Sequence, residues 1–472
     1  MQSQRYQSVR TLALVWLCAA FLFSACNPTT PQKMQEPTPS IEPTTIKTLS
    51  SQESPTNTLL PTPSETTLPS PSSALLIIEF SPIDRAIRQV PITEPINGVE
   101  ALQATGLEIV TADFGDSGVA VCSIGGIGCP ADNCFCSTKF WSYEGWADEV
   151  WQPYQTGPSD VTVAPGAIEG WRWAELGDIG LPPAPALVSA ARAYKWMQQQ
   201  QDRQSGGYDS PSSSLEVLLA IGANKLLADQ WSATEDSLSL GDYWQSNAQT
   251  YATDGVANAG KLSAALSATG TCWPAGTIEP SSYYTGTNGQ YSPHAGFQAW
   301  GILGSLAISQ TVSVEAVEFL KNLAQPDGGW EWNQGFGSDT NTTALIIQSL
   351  IAAGEPPDSP IISNALNYLK SAQNADGGFT YSPTSQFGTD SDVNSTSYVV
   401  QSILAAGQSP ISSIWTISET NPIEYLLGMQ LVNGSFEWQK GSGENLTATA
   451  QAATALLGIP YPIRIAGVPS CP

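Results

Sequence analysis

The sequence predicts an α/α toroid of about six helical hairpins, preceded by a small β-rich α+β domain and a disordered N-terminal linker. Three observations lead to this fold class: a helical unit that recurs in the C-terminal third, alternating apolar runs before it, and a Pro-, Thr- and Ser-rich stretch before those runs. Repeated units bury their apolar faces only against neighbouring units. We therefore expect a signal peptide, a linker, a β-rich domain and a toroid at residues 1–25, 26–73, 74–180 and 181–472.

The first residues have the features of an export signal. Arg5 and Arg10 precede a short apolar run, and small residues lead to Cys26. This order is typical of a secretory signal, and the run is too short to span a membrane comfortably. The residues before Cys26 resemble the lipobox of bacterial lipoproteins, although Phe23 stands where that pattern usually has Leu. The resemblance implies a lipid anchor at Cys26 and an extracytoplasmic position; the alternative is an ordinary cleavage site with an incidental Cys.

Composition constrains the linker and the partners. Residues 27–73 are rich in Pro, Thr and Ser and poor in apolar side chains, which predicts an extended spacer without a core. The chain carries 42 acidic and 17 basic side chains, a net charge of −25. Nucleic acids and anionic lipid surfaces attract basic patches. We therefore expect no nucleic-acid partner, and membrane contact only through the lipid anchor.

The cysteines predict disulfides. Apart from Cys18 in the signal and Cys26, the chain has Cys122, Cys129, Cys134, Cys136, Cys272 and Cys471. An even number of cysteines in an exported protein indicates disulfide bonds, with the pairing left open. A zinc site in the closely spaced group is the alternative, but the spacing fits no zinc pattern well and the chain has one His. We expect no metal.

The region from Ala74 to about Asp178 is predicted to be a small sandwich of strands with one helix. Strands are predicted from Leu75, Leu107, Gly118, Lys139 and Asp160. The run GVEALQATG from Gly98 predicts a short helix that ends at Gly106. Five Trp crowd this region: Trp141, Trp146, Trp151, Trp171 and Trp173. The preferred interpretation is a sheet core, and the alternative is an aromatic face that binds sugars or flat rings.

The order of these elements carries a first resemblance. The segments 123–126, 140–143 and 163–171, together with the helix before them, are similar to the small β domain of transcobalamin and intrinsic factor. In those cobalamin carriers the domain follows the helical domain and closes over the ligand, whereas here it precedes the helical region. The resemblance implies a small-molecule ligand, with cobalamin as a candidate.

The helical region carries a second resemblance. Residues 325–330, 373–379 and 430–436 contain related turns, QPDGGW, QNADGGF and QLVNGSF, about 50 residues apart. Each turn precedes a helix rich in small residues, so hairpins with an inner and an outer helix are expected to close into a ring. The turns resemble the Gln–Trp repeats of squalene and oxidosqualene cyclases and of prenyltransferase β subunits. The same toroid forms the helical domain of cobalamin carriers.

The chemistry of those cyclases is not expected here. Their class II members use a D-x-D-D-T-A motif whose central Asp protonates an alkene. The stretches from Asp339 and from Asp392 align with it, but Asn341 and Asn394 replace the acid, and an amide is no strong acid. Prenyltransferases bind zinc through Asp, Cys and His, and only His294 is present. No catalytic residue is predicted.

Two interpretations of the polar helix starts remain open. The simpler one makes Asn341, Asn394 and Asn445 helix N-caps, aided by Asp339 and Asp392 against the helix dipole. The other places a ring of amides and hydroxyls at a cavity mouth. The candidate ligand-binding residues are His294, Trp330, Trp332, Asp339, Asn341, Thr342, Asp392, Asn394, Ser395, Trp438, Asn445 and Thr447.

The leading hypothesis is a membrane-tethered binding module for a corrinoid or another amphipathic small molecule. The first alternative is an isoprenoid-acting enzyme with a non-standard acid, favoured by a carboxyl deep in an aromatic-lined pocket. The second alternative is an adhesive surface protein, favoured if the toroid has no cavity.

Overall fold

The computed structural model describes residues 72–115, 118–175, 181–271, 274, 276–286, 288–385 and 388–463. The predicted signal peptide, Cys26 and the linker up to residue 71 lie outside the described residues, as do Cys272 and Cys471. Among the residues described, no helix has the length and apolar character needed to cross a membrane.

The N-terminal region is β-rich, as predicted. Its elements are β1 Ser73–Ser81, β2 Asp84–Pro91, β3 Ile96–Asn97, α1 Gly98–Gln103, β4 Ile109–Asp113, β5 Val119–Ile124, β6 Ile127–Gly128, β7 Phe140–Ala147, β8 Val150–Pro153, β9 Thr162–Val163 and β10 Ile168–Ala174. A five-stranded sheet has the order β2-β1-β10-β7-β8, and β1 and β10 are parallel. A smaller sheet has the order β4-β5-β6.

Strand β2 was not predicted. Its sequence, DRAIRQVP, contains two Arg and shows no clear apolar alternation. Its residues are nevertheless largely buried, because both guanidinium groups donate to backbone carbonyls of the helical region. Arg85 Nη1 donates to the Leu457 carbonyl at 2.9 Å, and Arg88 Nη2 donates to the Lys225 carbonyl at 3.1 Å. Tertiary contacts therefore place a strand where the local pattern gave no signal.

The helical region forms a closed ring. Its helices are α2 Ala184–Gln200, α3 Pro211–Ala223, α4 Leu240–Thr253, α5 Val256–Ala268, α6 Ala295–Ala307, α7 Val314–Asn322, α8 Thr340–Ala352, α9 Pro360–Ser371, α10 Val393–Ala405, α11 Pro422–Gly428 and α12 Leu446–Leu457. The inner helices α3, α5, α6, α8, α10 and α12 contact one another in that order, and α12 returns to α3. Before α6, the described residues have a 3-10 turn, Pro280–Tyr283, where the other hairpins have an outer helix. The expected hairpin count is therefore confirmed only in part.

One set of contacts stabilises the recurring turn. In the first clear repeat Gly328 has a φ of +87°, which favours glycine, and the Asp327 carboxylate accepts from the Gly329 amide at 2.9 Å. The Trp330 amide then donates to Thr343 Oγ1 at 2.9 Å. The same contact recurs in the next two repeats. The Phe379 amide donates to Thr396 Oγ1 at 3.0 Å, and the Phe436 amide donates to Thr449 Oγ1 at 2.8 Å. A Thr hydroxyl of the inner helix thus accepts the hydrogen bond that a backbone amide of the preceding turn needs.

Two of these turns form short antiparallel strand pairs with the residues just before the next inner helix. Strand β11 Phe379–Thr380 pairs with β12 Ser391–Asp392, and β13 Phe436–Glu437 pairs with β14 Glu444–Asn445. The last turn also closes the ring, since Gln430 Nε2 donates to the Ser189 carbonyl of α2 at 2.8 Å.

The C-terminal ends of the inner helices are covered. The segment after α12 enters the ring, where Ile459, Tyr461 and Ile463 are buried. The Tyr461 amide donates to Gln348 Oε1, and Gln401 Nε2 donates to the Ile459 carbonyl, both at 2.8 Å. Strand β2 lies over the same end, because its Ile87 amide donates to Asn224 Oδ1 at 2.7 Å. Space inside the ring remains at the opposite end, where the inner helices begin.

Candidate functional site

A cavity of about 600 Å³ lies inside the ring near the helix N-termini. Each inner helix contributes a residue from its first half: Glu216, Lys261, Trp300, Asn341, Tyr398 and Gln451. Because six helices supply its walls, the ring itself fixes the shape of the cavity. Its size is that of a pocket for a drug-sized ligand.

Aromatic rings form much of the cavity wall. They belong to Tyr251, Phe297, Trp300, Trp332, Tyr381 and Tyr398. Phe297 and Trp332 pack edge to face with ring centroids 4.9 Å apart. Beneath the cavity, Tyr461 of the C-terminal segment packs against Trp300 at 5.5 Å and faces Tyr398 at 6.3 Å. The inserted segment therefore supports two of the aromatic walls.

A buried ion pair lies on one side of the cavity. Lys261 Nζ donates to Glu216 Oε1, and the two side chains are only 16% and 10% exposed. The ammonium group also lies 5.3 Å from the centre of the Trp300 ring, within reach of a cation–π interaction. Burial lowers the pKa of Lys261, but the adjacent Glu216 carboxylate, together with Tyr461 and Tyr251, outweighs that effect and raises the pKa overall. Lys261 is therefore charged at neutral pH.

A second carboxyl lies at the start of α8. Asp339 is 2% exposed, and its two oxygens accept from the backbone amides of Thr342 at 2.7 Å and of Trp332 at 3.1 Å. Burial raises the pKa of Asp339 to about 6, although the hydrogen bond from the Thr342 amide opposes the shift. Asp339 is therefore a carboxyl that exchanges its proton near neutral pH inside an aromatic cavity.

Two amide oxygens in the cavity wall have no hydrogen-bond partner in the described part of the chain. Asn341 Oδ1 and Gln451 Oε1 are buried and accept no hydrogen bond from the described residues. Gln451 as a whole is 5% exposed. A buried acceptor without a donor costs free energy, on the order of 1–3 kcal/mol. A ligand with hydroxyl or N–H donors would satisfy both groups.

The structure brings four of the predicted site residues into this cavity: Trp332, Asp339, Asn341 and Thr342. The others lie elsewhere in the described part of the chain. Trp330 is fully buried and donates to the Leu320 carbonyl at 2.9 Å, so it packs between hairpins. His294 precedes α6 with its ring 5.4 Å from Phe297, behind the cavity wall. Trp438 is 44% exposed in a turn.

The capping interpretation needs a correction. The N-caps of α8 and α10 are Asp339 and Asp392, whose side chains accept from the amides of Thr342 and Ser395. Asn341 and Asn394 lie inside the helices, so their amides do not cap. Only at α12 does Asn445 cap, with Thr447 in the first turn. A cap residue needs an extended backbone, and at α8 and α10 the β-bridge of Asp339 and the strand that ends at Asp392 give it to the residue two places earlier than expected.

Sequence reasoning missed most of the charged wall. Glu216 and Lys261 have no charged counterpart in the inner helices of the three clear repeats, so the repeats gave no guide to them. The available signal was a single charge within an otherwise small and apolar inner helix, as in SSSLEVLLAIG and GKLSAALSATG. Such a charge is expensive to bury without a partner, and each is the partner of the other.

The cysteines in the β-rich region form disulfides. Cys122 bonds to Cys134 and Cys129 bonds to Cys136. These pairs use the sulfurs that the zinc alternative would have required, and they confirm disulfides for four of the six candidates.

The helical region matches one known protein family. Residues 297–450 match the model of the squalene-hopene cyclase C-terminal domain. This match supports a terpenoid cyclase-like toroid, in agreement with the closed ring of inner helices. Among curated proteins no match was found.

Three solved structures illustrate the similarity. The type II terpene cyclase MstE from Scytonema, in complex with merosterolic acid A, is 15% identical, with 58% of this chain and 97% of that chain covered and a TM-score of 0.35. Protein geranylgeranyltransferase-I from Candida albicans, complexed with GGPP, is 15% identical, with 59% and 86% covered and a TM-score of 0.35. A glycosidase in complex with glucose is 12% identical, with 60% and 100% covered and a TM-score of 0.40.

Proposed function

We propose that the toroid binds a neutral amphipathic small molecule of isoprenoid type, such as a long-chain terpenoid alcohol, in the cavity at the start of the inner helices. One observation carries the proposal: six aromatic side chains surround a space in which Asn341 Oδ1 and Gln451 Oε1 have no donor among the residues that the structure describes. Aromatic walls suit an unsaturated hydrocarbon chain. A hydroxyl group at its end would donate to one of the unpartnered oxygens.

The charges of the cavity favour a neutral ligand. Glu216, Asp254 and Asp339 contribute carboxyl groups, whereas Lys261 is the cationic residue of the wall. Glu216 already pairs with that ammonium group. A diphosphate would lie against the remaining carboxylates without a free cation, and this like-charge repulsion disfavours prenyl diphosphates.

The corrinoid form of the hypothesis has less support. A complete cobalamin is larger than the drug-sized ligands that a cavity of about 600 Å³ encloses. The predicted ring of polar helix starts is also incomplete, because only the α8 members line the cavity. If the lipid anchor at Cys26 exists, binding would take place at a bacterial membrane surface, where isoprenoid lipids are available.

A second function is favoured by Asp339. A carboxyl with a pKa of about 6 beside Trp332 and Tyr381 can donate a proton to a bound substrate. The toroid would then be an isoprenoid-acting enzyme. Its acid, Asp339, would lie two residues before Asn341, which occupies the position of the catalytic Asp in the cyclase motif. Against catalysis, both Asp339 oxygens accept backbone amides, which holds the carboxyl in its capping role.

Calorimetric titration of the purified protein with geranylgeraniol tests the binding proposal. Geranylgeranyl diphosphate and cobinamide serve as comparison ligands. We expect the alcohol to bind more tightly than either, and Trp332→Ala to weaken its binding by about tenfold, since a packed aromatic wall contributes about 1 kcal/mol beyond its area. The control is Trp438→Ala, a half-exposed Trp outside the cavity. Equal loss in both variants, or tighter binding of the diphosphate, would contradict the proposal.

Product analysis separates the two functions. Geranylgeraniol or squalene is incubated with the protein and recovered for mass spectrometry. The binding proposal predicts unchanged ligand. Cyclised or hydrated product that disappears in Asp339→Asn would support the enzyme instead.

A further inference from the structure

A second cavity, separate from the toroid cavity, lies in the β-rich region. It has a volume of about 760 Å³ and is lined by residues of β5, β7 and β10 and of the disulfide-bonded loop. It shares no lining residue with the toroid cavity. A function for this cleft is therefore independent of the one proposed for the ring.

Exposed aromatic rings stand at the cleft. Phe135 is 65% exposed, Phe114 46% and Phe140 36%, and the rings of Phe114 and Phe135 lie 5.7 Å apart. Phe135 sits between Cys134 and Cys136, each of which belongs to a different disulfide. The two bonds tie the backbone on both sides of the ring. Exposing large apolar side chains costs solubility, so a rigidly presented group of them indicates a binding surface.

The base of the cleft is polar and buried. Glu144 and Arg172 are 5% and 9% exposed, and Arg172 Nη2 donates to Glu144 Oε1 at 3.4 Å. Ser142 Oγ donates to the same oxygen at 3.2 Å. The cleft thus combines exposed aromatic rings with a buried carboxylate and a guanidinium group.

The Trp residues themselves are mainly structural. Trp141 and Trp171 are buried, and Trp171 stacks on Tyr143 with ring centroids 4.2 Å apart. The preferred interpretation of the Trp cluster as a sheet core therefore holds for these two. The exposed rings at the cleft come from Phe residues that the sequence did not single out.

We propose that this cleft binds a neutral oligosaccharide. Sugar rings present C–H faces that pack on aromatic rings, and hydroxyls that both donate and accept. Glu144 would accept from a hydroxyl, while the Arg172 guanidinium would donate to another. An apolar peptide would cover these polar groups without replacing their hydrogen bonds. Anionic glycans are disfavoured by the net charge of −25 and by the carboxylates of Glu144 and Glu175 in the lining.

The test is calorimetric titration of the whole protein with cellohexaose, chitohexaose and maltohexaose, and with a Phe-rich octapeptide for comparison. We expect at least one hexasaccharide to bind and the peptide not to bind. Binding should weaken by about tenfold in Phe135→Ala, because a stacking face is lost. The matched control is Phe336→Ala, since Phe336 is 84% exposed and lies in a turn of the toroid. It should leave sugar binding unchanged.

A second variant checks the polar base. Glu144→Gln keeps the shape but removes the charge, and should weaken sugar binding while circular dichroism shows the same folded spectrum. The proposal is overturned if none of the three sugars binds, if Phe135→Ala and Phe336→Ala behave alike, or if the peptide binds instead. Because geranylgeraniol binding uses other residues, its presence or absence does not decide this result.

Discussion

The two halves of the ring differ in how they contribute to the cavity. The hairpins from α7 to α12 repeat one turn, in which a positive-φ glycine, an aromatic residue and a Thr hydroxyl recur. The hairpins from α2 to α6 are less regular: the α2–α3 turn keeps the contact through the Tyr208 amide and Ser214 Oγ, whereas one later hairpin has only a 3-10 turn for its outer element. Yet the irregular half supplies Glu216, Lys261 and Trp300.

The difference distinguishes residues that maintain the fold from residues that give the cavity its chemical character. A residue that recurs in every repeat serves a contact that every repeat needs, such as the bond from the Trp330 amide to Thr343. A residue without a counterpart in the other repeats is free of that requirement. Lys261, a single cation in a helix of small residues, is such a residue. The buried ion pair of the site therefore lies at positions that have no charged counterpart in the clear repeats.

The largest effect is expected from breaking the buried pair of the irregular half. Lys261→Met leaves the Glu216 carboxylate buried without its cation, which should lower the free energy of unfolding by about 3–5 kcal/mol. Chemical denaturation measures the change. The double variant Lys261→Met with Glu216→Leu should recover most of the loss, because both charges are then absent.

The regular half offers the matched control. Lys321 contacts Glu318 at 2.9 Å and Glu355 at 3.2 Å, and the Glu318 side chain is 53% exposed. Lys321→Met should cost only about 0–1 kcal/mol, as for other exposed pairs. Similar losses at Lys261 and Lys321 would contradict the distinction between the two halves.

The second effect concerns Asp339 and depends on pH. Its folded-state pKa, about 6, lies above the ordinary value of 3.8, so the folded protein binds the proton more tightly than the unfolded chain. Stability should fall as pH rises from about 4 to 6 and then level off. Asp339→Asn removes this dependence, so its stability relative to the wild type should improve by about 3 kcal/mol between pH 4 and pH 7. Urea denaturation at both pH values gives the difference, and an unchanged difference would refute the assignment.

A smaller effect is expected from the recurring turn. Thr343→Val removes the hydroxyl that accepts from the buried Trp330 amide and should cost about 1–3 kcal/mol, because that N–H is left unsatisfied. Thr343→Ser keeps the oxygen and serves as the control. The valine variant should unfold at a lower denaturant concentration than the serine variant. Coincident unfolding curves would show that the hydroxyl is not needed.

The ring could be predicted from the sequence because the patterns that specify it are local. The turn glycines and the small-residue helices recur, and each can be recognised within a few residues. The position of the caps was missed by two residues, since Asp339 is extended by pairing with Trp330 across the turn. Strand β2, the Glu216–Lys261 pair and the insertion of Tyr461 all depend on contacts between distant parts of the chain. The lone charges of Glu216 and Lys261 were a sequence signal for their pair, but no local pattern encodes the other two contacts.

The central claim is that the toroid holds its ligand in the cavity at the start of the inner helices. A crystal structure of the protein with geranylgeraniol tests it most directly. The account predicts ligand density between Trp332 and Trp300, with the hydroxyl within hydrogen-bond distance of Asn341 or Gln451. Density for the alcohol elsewhere, such as beside β2 at the opposite end of the ring, with this cavity unoccupied, would contradict it.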